Sequence, residues 1–238
     1  EELRDANLTN DKFFSILAHD LRSPFNSLLG LTDILQSDWQ EQADDRKLKQ
    51  VGVIKQNLEN VYGLVDNLLN WSRIQQNRIV PNNESVQLNS IINQVMDEID
   101  APARIKGVTV KNQVATDILV QGDKLMIATV LRNLMSNAIK YSHKGSSIII
   151  SCSMSEERVT TCVEDFGTGI QKAQLENLFN LVDTKSQLGT DGEKGTGLGL
   201  IISREFIQKM NGKFSFSSEY GQGSKFCFCL KIGSTKPE

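Results

Sequence analysis

A histidine with an adjacent carboxylate lies on a helix-like stretch near the start of the chain. His19 stands in FFSILAHDLRSPFNSLLG and is followed directly by Asp20. A neutral imidazole attacks through one nitrogen when an acceptor holds the proton on the other, and a neighbouring carboxylate can fix that tautomer. Pro24 removes the helix hydrogen bond to the Asp20 carbonyl and bends the helix there. His19 is therefore a candidate nucleophile, with a structural histidine beside a solvated aspartate as the alternative.

Two glycine clusters in the second half of the chain are candidates for binding a flat ligand and an anion, although the first could be just a turn and the second is a weak signal alone. Asp165, Gly167 and Gly169 end an apolar strand in VEDFGTGI. Glycine there lets the backbone approach a flat ligand, and a carboxylate can accept a hydrogen bond from an exocyclic amine. The second cluster opens a helix, whose amides and dipole favour an anion such as phosphate. Its members are Gly195, Thr196, Gly197, Leu198 and Gly199. Neither Rossmann nor P-loop spacing is present.

A helix between these clusters carries polar side chains at regular spacing. Asn133 and Asn137 are four residues apart and face the same way, and amide oxygens suit a hard cation such as Mg²⁺. Lys140 and Tyr141 follow on the next turn and offer a charge for phosphates and a ring for an adenine edge. Each of these residues alone could be structural.

Composition excludes several classes of protein. A length of 238 residues is enough for one large or two ordinary domains, and a hydrophobic fraction of 39% can supply a core. The net charge of −3 argues against a nucleic-acid partner. No apolar run approaches the roughly 20 residues needed to cross a bilayer, and no signal pattern opens the chain. We therefore expect no membrane contact by this fragment. Because it begins at Glu1 rather than Met, we also expect a longer parent protein.

Four cysteines fall in alternating apolar stretches. Cys227 and Cys229 would share one face of a strand, and the other two are Cys152 and Cys162. A CxC pair can be half of a metal site, but two histidines in the whole chain leave few further ligands. We expect buried, reduced thiols, which indicates a reducing compartment.

Apolar spacing predicts two long helices in the first part of the chain, over about residues 3–37 and the stretch after the polar turn SDWQEQADD. The second helix has a heptad seam of Val51, Ile54, Leu58, Val61, Val65, Leu68 and Ser72. Two helices of about 45 Å each leave a second apolar stripe in water, so we expect a four-helix bundle in a dimer. An intramolecular hairpin packed on the second part is the alternative.

The second part follows a linker around Pro81 and mixes helices with strands. Helical patterns cover residues 87–106 and 123–142, and VTVKNQV with ILVQ has the pattern of a hairpin. Four more strand-like runs follow, in SIIISCSM, RVTTCVED, KFSFSS and KFCFCL. This order predicts an α+β chain whose second part is an α/β two-layer sandwich.

Five motifs in order resemble the H, N, G1, F and G2 boxes of sensor histidine kinases. They are FFSILAHDLRSPF, NLMSNAIKYS, DFGTGI, ENLFNLV and GTGLGL. The resemblance implies a dimerisation and histidine-phosphotransfer hairpin at 1–77, a linker at 78–86, and a catalytic ATP-binding domain of the Bergerat or GHKL type at 87–238.

The resemblance also implies roles in the first domain. His19 would be the phosphoacceptor and Asp20 its acidic neighbour. Many relatives carry Thr or Asn four residues after the histidine, where the side chain is thought to position water for removing phosphate from the partner. This chain has Ser23 there. The departure from Thr or Asn weakens the expectation of phosphatase activity, and because Ser also has a hydroxyl the activity is not excluded.

In the second domain, the resemblance implies a site for ATP and Mg²⁺. Asn137 would bind the metal, Asn133 and Lys140 would reach the phosphates or the metal, Tyr141 would lie near the base, and Asp165 would bind the adenine amine. The glycines of the second cluster would lie beside the triphosphate, and residues 171–194 would form a mobile lid.

The implied function is ATP-dependent autophosphorylation of His19, followed by transfer to an aspartate of a response-regulator receiver domain, separate or fused. The expected assembly is a homodimer, and the fragment would be the cytoplasmic portion of its parent. One rival is an ATPase related to gyrase, in which a glutamate four residues before the metal-binding asparagine activates water. Asn133 occupies that place here and cannot act as a base. The other rival is a noncatalytic scaffold.

Overall fold

The first unit, Glu1–Gln75, is helical wherever the computed structural model describes it. The described residues of the chain are 24–36, 44–76, 79–115, 118–179, 188–193 and 197–234. Helix α1 covers 24–36, and α2 is Asp44–Gln75, which confirms a second helix of about 30 residues. Within the described ranges, no helix combines the length and the apolar character needed to span a bilayer.

Helix α2 buries one face and leaves an apolar stripe in solvent. Its most buried side chains include Leu64 and Trp71, at 4% and 6% exposure. From the predicted seam, Val51, Leu58 and Val65 remain at least 39% exposed. Leu48, Tyr62 and Leu69 extend the same exposed stripe. A single chain therefore leaves apolar surface uncovered along most of α2.

The second unit, Gln76–Glu238, contains a five-stranded sheet in the order β2-β4-β5-β7-β6 and a two-stranded sheet of β1 and β3. The strands are β1 Glu84–Gln87, β2 Thr109–Asn112, β3 Leu119–Gly122, β4 Ser147–Met154, β5 Arg158–Asp165, β6 Lys213–Glu219 and β7 Gly223–Lys231. Helices α3 Leu88–Lys106, α4 Lys124–Tyr141, α5 Lys172–Leu175 and α6 Leu198–Lys209 complete the unit. Only β2 and β4 pair in parallel, within the large sheet.

The helices cover one face of the large sheet. Along β5, buried residues alternate with half-exposed ones, so one face of the strand lies in the core. The fully buried core includes Ile127, Leu131, Leu134, Ile148, Ile150, Ile202 and Phe228, from α4, α6 and the sheet. This arrangement confirms the predicted α/β two-layer sandwich within an α+β chain.

The predicted hairpin between VTVKNQV and ILVQ is wrong. Val110 of β2 pairs with Ile148 in parallel, whereas Val120 of β3 pairs with Val86 of β1 in antiparallel register. Strand β1 lies partly in the segment expected to be a linker, and only Val86 of its four residues is buried. Such a short run carries little local signal, so the partner of β3 could not be identified from neighbouring sequence.

The expectation of four reduced thiols is also wrong. Cys162 of β5 and Cys227 of β7 pair directly across the sheet and form a disulfide. Cys152 and Cys229 are free and half-buried. The cross-strand register brings the first two thiols together, although 65 positions separate them in the sequence. The cysteine pattern therefore gives no support to a reducing compartment.

A carboxylate begins the helix that carries both candidate asparagines. Asp123 is the N-cap of α4 and accepts hydrogen bonds from the backbone N–H groups of Leu125 and Met126. Its second oxygen accepts from the backbone N–H of Asn82 at 2.9 Å. The cap thus satisfies donors at the start of α4 and ties the incoming segment to it.

Replacing Asp123 with Ala should lower the free energy of unfolding of the ATP-binding unit by about 1 kcal/mol, because the capping bonds are lost. Urea denaturation followed by circular dichroism measures this change. Glu156→Ala is the matched control, since Glu156 is an exposed turn residue of the same charge. Equal midpoints for Asp123→Ala and the unmodified chain would contradict the capping role.

Candidate functional site

A buried carboxylate stands at the end of β5. Asp165 is 5% exposed, and its Oδ1 accepts a hydrogen bond from the backbone N–H of Gly167 at 3.0 Å. Burial raises the pKa of this carboxyl to about 6, although the amides of Gly167 and Ser224 lower it and the charge of Glu164 raises it. Asp165 is therefore a polar acceptor in a largely apolar setting.

The loop after Asp165 lies against the end of α4 and needs glycine to do so. A Cβ at Gly167 would collide with the carbonyl group of Tyr141, and the neighbouring Thr168 N–H donates to that same carbonyl at 3.1 Å. Gly169 has a positive φ of 61°, and a Cβ there would collide with the Glu219 carbonyl. The predicted glycines thus allow Asp165 and α4 to approach closely.

The two asparagines of α4 have different surroundings. The Nδ2 group of Asn133 donates to the carbonyl of Gly199 at 3.1 Å and to the Ser203 hydroxyl at 3.3 Å. A Cβ at Gly199 would lie 3.3 Å from the Asn133 side chain. Asn137 is half-buried, and its side chain has no hydrogen-bond partner in the described part of the chain. Asn133 therefore connects α4 to α6, while the Asn137 amide oxygen is available to a ligand.

Lys140 and Tyr141 interact with each other at the end of α4. The Lys140 Nζ donates to the Tyr141 hydroxyl at 2.9 Å and lies 4.6 Å from the ring centroid. Burial lowers the pKa of Lys140 to about 8, while Glu193 raises it and Lys106 lowers it. Burial, and then Glu193, raises the pKa of Tyr141. The pair places a half-buried cation beside a neutral phenol.

Helix α6 begins at a glycine, which has no side chain to cap the first turn. Its N-cap, Gly197, has a φ of 71°, and its first turn contains no acidic residue. Leu198 and Gly199 form that first turn, next to Asn133. Backbone amides and the helix dipole at a helix N-terminus attract anions. The described part of the second glycine cluster is therefore compatible with phosphate.

An aromatic cluster holds Phe179, which lies in the predicted fourth motif. Its ring centroid is 5.9 Å from that of Phe214 and 5.5 Å from that of Phe216. The Arg204 guanidinium lies 4.5 Å from the centre of the same ring. These contacts attach the predicted lid to β6 and α6 just before residue 180.

Several predicted site residues lie outside the described residues: His19, Asp20, Ser23, Gly195 and Thr196. Their roles stay predictions.

Three residues near the site belong to none of the predicted contacts. Ser203 accepts from Asn133, and Lys106 forms an ion pair with Glu193. Lys106 and Glu193 are 87 positions apart in sequence. Only the fold brings them together, so no local motif could have identified the pair.

Two family models match successive parts of the chain. Residues 9–77 match the His Kinase A (phospho-acceptor) domain, and residues 122–234 match the histidine kinase-, DNA gyrase B-, and HSP90-like ATPase. Together these segments cover about three quarters of the chain.

Curated relatives are similar over almost the whole chain. The sensor protein GacS of Pseudomonas syringae pv. syringae is 26% identical over 246 residues, which cover 100% of this chain and 27% of that protein. The autoinducer 2 sensor kinase/phosphatase LuxQ of Vibrio vulnificus is 26% identical, with coverage of 97% and 27%. The chain thus spans about a quarter of the length of these two relatives.

Solved structures of histidine kinases resemble the structure of this chain. Histidine kinase AdeS of Acinetobacter baumannii has a TM-score of 0.68 at 25% identity, covering 92% of this chain and 98% of that chain. Histidine kinase ThkA, crystallised with response regulator TrrA, shares the fold with a TM-score of 0.72 at 21% identity, covering 96% and 63%. With a phospho-acceptor domain followed by the matching ATPase domain, the chain belongs to the sensor histidine kinases of two-component systems.

Proposed function

We propose that this chain transfers the γ-phosphoryl group of ATP to His19 and then passes it to an aspartate of a response-regulator receiver domain. The observation that carries the proposal is the surroundings of Asn133. ATPases related to gyrase have a water-activating glutamate at this position. Here the position is occupied by the amide of Asn133, which donates to the Gly199 carbonyl and the Ser203 hydroxyl. Such an amide cannot take a proton from water at neutral pH. The same chain also has a phospho-acceptor segment. The γ-phosphoryl group is left for a protein nucleophile rather than for hydrolysis.

Asp165 and its loop would bind the adenine. The buried carboxylate accepts hydrogen bonds, as the exocyclic amine of adenine requires. Gly167 and Gly169 keep the loop backbone close to α4 and to the turn between β6 and β7, so the base can lie flat against it. Tyr141 lies at the α4 end of this surface.

Asn137, Lys140 and α6 would hold the triphosphate and Mg²⁺. The described residues contain no group of three or more His, Cys, Asp or Glu side chains fit to hold a metal. Mg²⁺ does not need such a group, because it often takes one or two protein oxygens and completes its shell with phosphate and water. The Asn137 oxygen, which has no hydrogen-bond partner among the described residues, fits this role. Bound Mg²⁺ would neutralise phosphate charge, which Lys140 and the α6 amides also do.

The transfer requires alignment of a nitrogen with phosphorus. The unprotonated imidazole nitrogen of His19 would form the N–P bond as the bond from the γ-phosphorus to the bridging oxygen breaks, and ADP would leave with that electron pair. Asp20 would accept a hydrogen bond from the other ring nitrogen and stabilise the developing positive charge. In the second transfer, a receiver aspartate replaces the histidine as the carrier of the phosphoryl group.

The exposed stripe of α2 supports a homodimer. Val51, Leu58 and Val65 follow heptad spacing and are at least 39% exposed in one chain, so a second copy would cover them in a four-helix bundle. The receiver would then approach the bundle near His19.

The relative LuxQ is named as a sensor kinase/phosphatase. In this chain, Ser23 offers a hydroxyl for that second activity.

Replacing His19 with Gln should abolish phosphate incorporation and leave ATP affinity unchanged, because Gln cannot act as the nucleophile. The measurement is incubation with γ-labelled ATP and Mg²⁺, followed by tests of the label in acid and in alkali. We expect an acid-labile, alkali-stable label in the unmodified chain. His143→Gln is the matched control, since His143 is the other histidine and is exposed; it should keep the label.

Label retained in His19→Gln would contradict the assignment of the phosphoacceptor. Steady release of inorganic phosphate with no labelled protein would favour the ATPase, and neither signal from a chain that binds ATP would favour the scaffold.

The affinity for adenosine should fall as the pH falls below about 6. Asp165 has its pKa raised to about 6, and the adenine amine binds the ionised carboxylate, so proton uptake competes with adenosine. Between about pH 7.5 and pH 5.2, affinity should therefore drop by about fivefold to tenfold. Calorimetric titration between about pH 5.2 and 7.5 measures this, and adenosine avoids the titration of phosphate groups.

Asp165→Asn is the matched variant for this titration. It should bind adenosine more weakly at pH 7.5 and show no step near pH 6, because its amide does not titrate. The same step in this variant, or a flat profile in the unmodified chain, would contradict the role of Asp165.

A further inference from the structure

We infer that Lys106 and Glu193 are a positioning pair, which holds residues 188–193 on the C-terminal end of α4 and thereby places Lys140 for the phosphates of ATP. This inference rests on the proposed function, because it assigns the pair to the same nucleotide site. Residues 188–193 are called the lid root below, since they form the described end of the predicted lid.

Lys106 is a buried cation with two partners. Its side chain is 5% exposed, and its Nζ donates to the Glu193 carboxylate at 2.6 Å and to the Lys140 carbonyl at 2.5 Å. One ammonium group therefore bridges α3, the end of α4 and the lid root. Leaving a buried charge without its partner costs free energy. The ion pair between Lys106 and Glu193 therefore stabilises the lid root in this position.

Glu193 closes the backbone turn of the lid root through two hydrogen bonds. The Glu193 carbonyl accepts from the Gly189 N–H at 2.8 Å, and the Glu193 carboxylate accepts from the Asp191 N–H at 2.9 Å. Thr190, at the tip of this turn, donates its N–H to the Lys140 carbonyl at 3.1 Å and its hydroxyl to the Ser142 carbonyl at 2.7 Å. The turn that presents Thr190 to α4 is thus closed by the residue that pairs with Lys106.

Gly189 shows how closely the lid root approaches Lys140. A Cβ at this position would lie 2.7 Å from both the Cγ and the carbonyl oxygen of Lys140, and it would also collide with the Glu193 carboxylate. Only glycine leaves room for the observed contact. Any side chain would displace the lid root from α4.

Glu193 also acts on the charge of Lys140. Burial lowers the pKa of the Lys140 ammonium to about 8, Glu193 raises it, and Lys106 lowers it. Burial would raise the pKa of Glu193 itself, but Lys106 and backbone amides shift it downward overall, so the carboxylate is ionised at neutral pH. Glu193 thereby offsets part of the burial cost that opposes a positive charge at Lys140.

The pair should affect the phosphates rather than the adenine. The proposed adenine acceptor, Asp165, receives its hydrogen bonds from its own loop and from the start of β7, and Glu193 is not among the groups that shift its pKa. Lys140, in contrast, contacts the lid root directly. Breaking the pair should therefore weaken ATP binding and spare adenosine binding.

The test compares Mg²⁺-ATP and adenosine affinities by calorimetric titration of the whole chain. Glu193→Gln and Lys106→Met should each weaken Mg²⁺-ATP by about tenfold, which is typical of losing a hydrogen bond to a charged group. The double variant should bind Mg²⁺-ATP no more weakly than the weaker-binding single variant, because both substitutions remove the same Lys106–Glu193 ion pair. Adenosine affinity should stay within about twofold in all three.

Two further variants separate the ion pair from general disruption. Gly189→Ala displaces the lid root without changing a charge and should also weaken Mg²⁺-ATP alone. Glu98→Gln breaks an ion pair between α3 and α4, in which Arg132 lies 2.7 Å from Glu98, and it should change neither affinity. Hydrogen exchange of the Thr190 amide should be faster in Glu193→Gln, because its bond to the Lys140 carbonyl is no longer held.

Normal Mg²⁺-ATP affinity in both Glu193→Gln and Gly189→Ala would overturn the inference and leave the proposed function intact. Equal loss of ATP and adenosine affinity would also overturn it, since the pair would then support the domain as a whole. Absence of ATP binding by the unmodified chain would instead remove the proposed function, and the inference with it.

Discussion

The proposed nucleotide site depends on the hydrogen bonds that the last carbonyl groups of α4 accept. A helix end leaves its final carbonyls without partners inside the helix. Here separate segments supply them: the Lys106 ammonium and the Thr190 N–H reach the Lys140 carbonyl, and the Thr168 N–H reaches the Tyr141 carbonyl. Because each donor comes from a different segment, satisfying this helix end also places α3, the lid root and the loop after β5 around it.

Elements with strong local patterns were predictable from the sequence, and long-range pairings were not. Helix α4 and strand β5 carry clear periodicity. The glycines after Asp165 pack closely against α4 and the end of β6, whereas their predicted approach to a flat ligand stays a prediction. The β1–β3 pair and the Cys162–Cys227 disulfide depend on register between distant segments, which local patterns do not contain. Lys106 and Glu193 escaped prediction for the same reason, since neither belongs to a motif.

In the proposed site, the residue that would recognise the base is separate from the residues that would contact the phosphates. Asp165 is fixed by its own strand end and loop, so its position needs no contribution from the lid root. Lys140 and the start of α6 interact with residues from other segments. Glu193 raises the pKa of Lys140, and Asn133 donates a hydrogen bond to the Gly199 carbonyl at the start of α6. Under the proposed function, the chain must bind ATP and also give its γ-phosphoryl group to His19. Because the residues proposed to contact the phosphates depend on neighbouring segments, those contacts could be adjusted without losing the adenine.

The most direct test of this account is a crystal structure of the chain with a nonhydrolysable ATP analogue and Mg²⁺. The account predicts the adenine amine within about 3 Å of an Asp165 carboxylate oxygen, the metal on the Asn137 oxygen, and phosphate oxygens facing Lys140 and the first amides of α6. A nucleotide bound away from Asp165, or a metal held by other residues while Asn137 points elsewhere, would contradict it.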